Sequence, residues 1–102
     1  MTKLEELKKY FLRDRYVALS EIKIVEATSA LAVCEVKVKD FHLNAADLAQ
    51  GGLIYTLADF TFAVLANNLH PTTVTQSANI TYLSPARTDQ TLKATAREIT
   101  RV

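Results

Sequence analysis

One acidic side chain stands out in a run of otherwise apolar residues. Residues 53–69 read LIYTLADFTFAVLANNL, and Asp59 is their only charge. A carboxylate among apolar neighbours is costly unless it is paired or put to use, so Asp59 is a candidate base or nucleophile. A structural carboxylate hydrogen-bonded to a neighbouring strand is equally open from this stretch alone. Just upstream lies the pair Gly51-Gly52. At a helix start, free N–H groups and the positive end of the dipole favour an anion. Glycine also lets a carbonyl come close to the backbone, so the pair could hold the oxyanion of a carbonyl under attack. The plainer alternative is a turn that needs positive φ. Asn44, in the loop before the glycines, could donate to a substrate or simply cap a turn.

These residues need elements to hold them. Residues 53–69 carry apolar side chains on nearly every face, which predicts a helix buried all round and stopped by His70-Pro71. Thr2 and Glu5 have capping-box spacing, and Leu4, Leu7 and Phe11 recur at helical period, predicting a first helix over 3–14. Residues 17–26 and 29–39 read as a hairpin joined at Glu26-Ala27-Thr28. In its second strand Cys34, Val36 and Val38 alternate with Glu35, Lys37 and Lys39. Cys34 falls on the apolar face and is expected in the core. Residues 73–83 have strand composition, Ser84-Pro85-Ala86-Arg87 reads as a turn, and residues 90–102 read as a last strand running to the chain's end. The order of helix, two strands, long helix, two strands predicts an α+β domain with an antiparallel sheet wrapped around the long helix.

Composition narrows the function. The chain has 102 residues, 49% of them hydrophobic, which allows one compact domain. A net charge of +1 argues against a nucleic-acid binder. A single cysteine excludes an internal disulfide and fits a reducing, cytoplasmic setting. The charged, amphipathic N-terminus does not read as a signal peptide, and the acid within the apolar stretch 53–69 argues against a membrane span. No Cys/His spacing indicates a metal.

Taken together, the stretch HLNAADLAQGGLIYTLADFTFAVLANN resembles the central segment of the hot-dog-fold acyl-CoA thioesterases, the phenylacetate-pathway (PaaI-like) family. That family's pattern is Asn, a short loop, His-Gly-Gly, then a helix carrying Leu-Ala-Asp. Asn44, Gln50-Gly51-Gly52 and Leu57-Ala58-Asp59 stand at its spacing, and NITYLSPA is similar to the strand and turn that follow its helix. The resemblance spans about residues 17–102 and implies a single hot-dog domain over 1–102. It also implies hydrolysis of an acyl-CoA without metal or redox cofactor. It makes Asp59 the base or nucleophile, the Gly51 N–H the group that polarises the thioester carbonyl, and Asn44 a holder of the acyl group. Thr75, with Ser77 in reserve, would position water. Gln50 and Gly52 would line the substrate, and Arg87, with Lys93, Arg97 and Arg101, could meet the coenzyme A phosphates. His42 and His70 are expected to be structural or solvated.

Two departures from the pattern matter. Gln50 replaces a His and cannot titrate. The family also carries two further strands after the segment that ends at Val102, so the domain is expected to be truncated at its C-terminus, with a gap or exposed edge in the sheet. A non-catalytic acyl-CoA or acyl-carrier binding protein on the same fold, motivated by Gln50, and a structural dimerisation module, motivated by the missing strands, are the rival readings. Hot-dog dehydratases fit less well, because they rely on that His. Gly51 and Asp59 lie eight residues apart, about 12 Å along a helix, whereas a reacting carbonyl must lie within about 3 Å of both groups. One helix cannot do this, but two antiparallel copies can. A homodimer is therefore expected, and the resemblance implies that such dimers pair further into a dimer of dimers.

If Gln50 merely stands in for the family's His, Gln50→His should leave acyl-CoA turnover unchanged or raise it. A large loss in a coenzyme A release assay would instead make the Gln50 carboxamide part of the site.

Overall fold

The computed structural model describes residues 2–70 and 72–101. Helix α1 spans Lys3–Phe11. Its start is a reciprocal cap: the Thr2 hydroxyl accepts from the Glu5 N–H at 3.1 Å, and the Glu5 carboxylate accepts from the Thr2 N–H at 3.2 Å. Leu7 is buried, and Leu4 and Phe11 pack onto the core. The Phe11 ring meets Phe60 edge-on at a centroid distance of 5.2 Å.

The expected first helix is split, and the expected strand over 17–26 starts late. The Asp14 carboxylate accepts from the Val17 N–H at 3.1 Å and so caps a new helix, α2, over Arg15–Ser20. Glu21, at φ 60°, ends that helix in a left-handed turn. Only then does strand β1 begin, over Lys23–Ala27. The hairpin itself is present: β1 pairs antiparallel with β2, Ala32–Lys37. The turn lies over 28–31 rather than 26–28. There the Thr28 hydroxyl accepts from the Ala30 and Leu31 N–H groups, at 3.0 and 3.1 Å.

Helix α3 spans Gly51–Leu69, two residues longer at its start than its apolar pattern predicts. His70 is its C-cap, while Pro71 lies outside the described residues. Strand β3, Thr91–Ala96, pairs antiparallel with β2, giving a three-stranded sheet in the order β1-β2-β3. It stops at Ala96, which pairs with Ala32 at the end of β2. The expected strand over 90–102 is therefore shorter, because β2 offers no ladder beyond that point. The far edge of β3 has no strand partner among the described residues.

The core lies between this sheet and α3. The sheet contributes Ile24, Ala32, Cys34, Val36 and Leu92, and the helix contributes Leu53, Leu57, Phe60, Thr61, Val64 and Leu65. Thr61 is buried without penalty because its hydroxyl donates to the Leu57 carbonyl at 2.6 Å. A sheet of three strands covers only one face of α3. The helix is accordingly not buried all round: Tyr55, Ala58, Asp59 and Phe62 lie on the opposite face, all four exposed. This architecture is the α+β arrangement expected, with one long central helix in an antiparallel sheet.

Residues 73–83 form no strand. They run back along α3, tied at one end by the Asn67 carboxamide to the Thr73 backbone (2.9 and 3.1 Å) and at the other by the Tyr82 phenol, which donates to the Gly51 carbonyl at 3.1 Å. Strand composition is not enough here, because no ladder partner lies beside this segment among the described residues. The Ala86 carbonyl then accepts from the Ala49 N–H at 2.8 Å, and the chain turns over Arg87–Gln90 into β3.

Cys34 is fully buried, as expected. Burial pushes its thiol pKa up to about 11, against the opposing effect of a hydrogen bond with Thr61. At pH 8 about one thiol in a thousand is then ionised. Alkylation of native protein by iodoacetamide should therefore be slow and follow global unfolding. Rapid stoichiometric labelling of folded protein, read by mass spectrometry, would contradict this core.

Candidate functional site

Asp59 stands mid-helix on the exposed face of α3, with Tyr55 one turn before it and Phe62 nearly one turn after. It is not the buried carboxylate its apolar neighbours implied. Its Oδ1 accepts from the Thr75 hydroxyl at 2.7 Å, a short, charge-assisted bond between helix and returning segment. The two residues share a cavity of about 280 Å³ with Tyr55, Phe62, Ser77 and Asn79. Three of its polar residues, Asp59, Thr75 and Ser77, are those the sequence points to, whereas the aromatic pair went unnoticed there. Their spacing around Asp59, four residues before and three after, is a one-face helical signal that was available.

The other candidates gather at the N-terminal end of α3. Gln50 is the N-cap, and its side-chain oxygen accepts from the Gly51 N–H at 3.1 Å. Neither glycine has positive φ, so the turn explanation fails for both. At Gly51 the constraint is space: a Cβ there would lie 3.3 Å from the Tyr82 ring. Gly52 faces open space beyond its contact with Gln50. Tyr82 is a residue that sequence reasoning missed, and no local pattern could have linked it to a glycine 31 positions earlier.

The loop before Gln50 is built on Asn44. Its side-chain oxygen accepts from the Ala46 and Leu48 N–H groups at 2.8 and 3.2 Å, and Leu43 bridges Ala49. Asn44 thus caps a turn, and its carboxamide N–H groups are the part left for any other role. His42 is buried and structural: Nδ1 accepts from the Lys39 N–H at 2.9 Å, while Nε2 lies 2.8 Å from the Ser20 carbonyl. That pairing assigns the proton to Nε2. His70 pairs with Glu98 at the surface.

Of the candidate phosphate-binding cations, Arg87 lies beside the α3 N-terminus, next to the Ala86–Ala49 bond. Lys93 sits opposite Glu35 in the β2–β3 ladder, and Arg101 is held by Glu98 at 2.8 Å. That guanidinium, with His70, keeps the Glu98 carboxyl below the usual carboxylate range. Arg97 lies just past the end of β3, toward the C-terminal half of α3, and lines the same hollow as Arg101. No group of three or more His, Cys, Asp or Glu able to hold a metal occurs among the described residues, and no described helix is long and apolar enough to cross a membrane.

The molecule thus presents a carboxylate–hydroxyl pair in a cavity at mid-helix, and a glycine-led N-terminus at the end of the same helix. The thioesterase superfamily profile matches residues 48–101, which include both. A putative esterase of Archaeoglobus fulgidus is 34% identical over 97 residues, covering 94% of this chain and 63% of that protein. Human acyl-coenzyme A thioesterase 13 is 38% identical over 80 residues, covering 76% of this chain and 57% of that one. Among solved structures, a mutant form of the phenylacetic acid degradation protein PaaI from Thermus thermophilus superposes with a TM-score of 0.82 at 28% identity, covering 87% of this chain and 76% of that one. The chain belongs to the thioesterase superfamily and has the hot-dog fold of its PaaI-like members. It spans about three-fifths of the length of these curated relatives.

The Gly51–Tyr82 contact makes a stability prediction. Alanine at position 51 forces the Tyr82 ring to shift by a few tenths of an ångström. Gly51→Ala should therefore be more favourable by about 1 kcal/mol in a Tyr82→Ala background than in wild type. Urea denaturation of the four proteins of this cycle measures the coupling, and additive effects would contradict it.

Proposed function

We propose that this chain hydrolyses an acyl-CoA thioester to a free acid and coenzyme A. The observation that carries the reading is Asp59, oriented by the Thr75 hydroxyl inside a cavity on the outward face of α3. As a base, its carboxylate takes a proton from water as the water oxygen bonds to the thioester carbon. The carbon–sulfur bond then breaks, and the coenzyme A thiolate leaves and is protonated. As a nucleophile, the same carboxylate bonds to the thioester carbon and expels the coenzyme A thiolate, which is protonated, and water then opens the resulting anhydride to the free acid and the restored carboxylate. Thr75 positions the carboxylate and the water in either case, and Ser77 stands next on the same wall.

Charge develops on the carbonyl oxygen, and the donor proposed for it is the Gly51 N–H at the helix start. Gly51 and Asp59 lie on one continuous helix, so that donor comes from a second copy of the chain, with its α3 antiparallel to the first. Asn44 offers its carboxamide N–H groups to the acyl carbonyl, Gln50 and Gly52 line the entry, and Arg87 meets a phosphate. The exposed Tyr55, Phe62 and Val74 lie on the face such a copy would cover.

A second reading has one specific observation behind it. The Gln50 side chain caps Gly51, so the proposed oxyanion donor is occupied in the free chain. A protein that binds acyl-CoA without turning it over fits that contact.

Two experiments test these proposals. Asp59→Asn keeps shape and removes the base, so release of coenzyme A should fall by about a hundredfold or more. Full activity in this variant would reduce Asp59 to structure, and wild-type binding without turnover would favour the second reading. The shared site is tested by refolding Asp59→Asn together with Asn44→Asp, which keeps the oxygen that holds the loop but removes the donor. Random pairing makes half the dimers mixed, each with one intact site, so activity should return to about a quarter of wild type. No recovery, with mixed dimers verified by mass spectrometry, would place both residues in one subunit's site.

A further inference from the structure

The two donors proposed to meet the thioester carbonyl, the Gly51 N–H and the Asn44 carboxamide, hang from one small hairpin. Residues 42–44 run antiparallel to residues 48–50. The Asn44 N–H donates to the Leu48 carbonyl at 2.7 Å, and the Gln50 N–H donates to the His42 carbonyl at 2.8 Å. Gly51 follows Gln50 as the first residue of α3. His42 stands at the hairpin's base. It is 6% exposed, and both of its ring nitrogens are engaged. Nδ1 accepts from the Lys39 N–H, a local contact three residues back. Nε2 donates to the Ser20 carbonyl, 22 residues away at the end of α2.

We propose that His42 is a positioning residue of the thioester site: its Nε2–H bond to Ser20 fixes where the hairpin sets the Gly51 N–H and the Asn44 carboxamide. The inference rests on the thioesterase reading above and deepens it. The bonds inside the hairpin join its own residues, so they fix its shape and not its place against the rest of the domain. Two hydrogen bonds from the hairpin do the latter. One is the Ala49 N–H to the Ala86 carbonyl at 2.8 Å. The other is the His42 ring to Ser20 at 2.8 Å. With the first alone the hairpin can pivot about Ala49, whereas the pair holds it at both strands. Ser20 ends α2, so its carbonyl needs a partner from outside the helix, and the imidazole supplies it. The Glu21–Lys39 ion pair spans the same junction at 2.6 Å, but both of its side chains are exposed, and such pairs hold geometry weakly.

The two ring contacts have separate duties. The anchor needs a proton on Nε2, and the Lys39 N–H selects that tautomer by occupying Nδ1. They can also be separated by substitution. An asparagine at position 42 places its carboxamide oxygen near the position of Nδ1 and falls short of Ser20. A glutamine places its carboxamide nitrogen near the position of Nε2 and reaches it. Lys39 is exposed, so its N–H can turn to water when Nδ1 is gone. The site is sensitive to such a change, because an oxyanion donor must sit within about 3 Å of its target, and a displacement of about 1 Å can cost about a hundredfold. The oxyanion forms only in the transition state, so the loss falls on kcat.

The test uses wild type, His42→Asn and His42→Gln with butanoyl-, octanoyl-, phenylacetyl- and hexadecanoyl-CoA, with free thiol as the readout. Circular dichroism and urea denaturation establish that each protein is folded under the assay conditions. His42→Asn should lower kcat by about tenfold or more with a smaller change in KM, and His42→Gln should recover most of that loss. Refolding variants together then locates the damage. With Asp59→Asn, His42→Asn should return activity to about a quarter of wild type, because each mixed dimer has one site with an intact hairpin and an intact carboxylate. With Asn44→Asp it should restore nothing, because both lesions lie in the same half of the site. Unchanged kcat in His42→Asn, equal losses in both variants, or a His42→Asn chain that does not fold overturns the positioning role while the thioesterase reading stands. So does recovery of the Asp59→Asn and Asn44→Asp pair without recovery of the Asp59→Asn and His42→Asn pair. No thiol release from any of the four substrates by wild type overturns the thioesterase reading and this inference with it.

Discussion

Among the described residues the 19-residue helix α3 packs on a sheet of three strands, which covers one of its faces. That constraint organises the rest of the molecule. Leu53, Leu57, Phe60, Val64 and Leu65 take the sheet side and complete the core with Cys34 and Val36. Tyr55, Ala58, Asp59 and Phe62 are left on the other side, where the sheet cannot reach. The chain answers by running residues 73–83 back along that face and fastening them at Asn67, Asp59 and Gly51. The cavity around Asp59 lies between this segment and the helix.

The parts that were legible in the sequence are those set by local chemistry. The Thr2–Glu5 cap, the alternation around Cys34 and the run of apolar residues in α3 each rest on contacts a few residues apart or on a simple period. The misreadings have a shared cause, since each depended on what another part of the chain supplies. The stretch 17–26 is half helix because Asp14, outside it, caps Val17. Residues 73–83 have strand residues but no neighbouring strand to pair with among the described residues. The apolar side chains of α3 are not all buried, because burial depends on the width of the sheet and not on the helix's composition.

The candidate site divides along the same line. Asp59 drew attention because of its own neighbours, and the motif with Gly51 and Asn44 has fixed spacing. Thr75 follows from counting along the family pattern, and the structure sets its hydroxyl 2.7 Å from the Asp59 carboxylate. The reason for Gly51 was out of reach. It is the approach of a tyrosine ring from the far end of the returning segment, not a backbone angle.

The same geometry bears on how such a site would work. Asp59 is exposed in the single chain, so water competes for its carboxylate. An attacking group is most effective when bulk water is removed and fixed donors replace it. On the proposed reading the acyl group displaces water from the cavity and a second copy of α3 covers its mouth, bringing a Gly51 N–H to the carbonyl. Both events leave Thr75 as the donor already in place, so the carboxylate need not reorient when the substrate arrives. The Gln50 cap has the opposite character. It must release the Gly51 N–H at that moment, giving up a neutral hydrogen bond whose net worth is about 1 kcal/mol. That cost is small beside the stabilisation of a developing oxyanion, about 3 kcal/mol for a single donor. The capped helix start is therefore compatible with turnover, and what separates the two readings of this chain is whether Asp59 finds a thioester within reach once the cap opens.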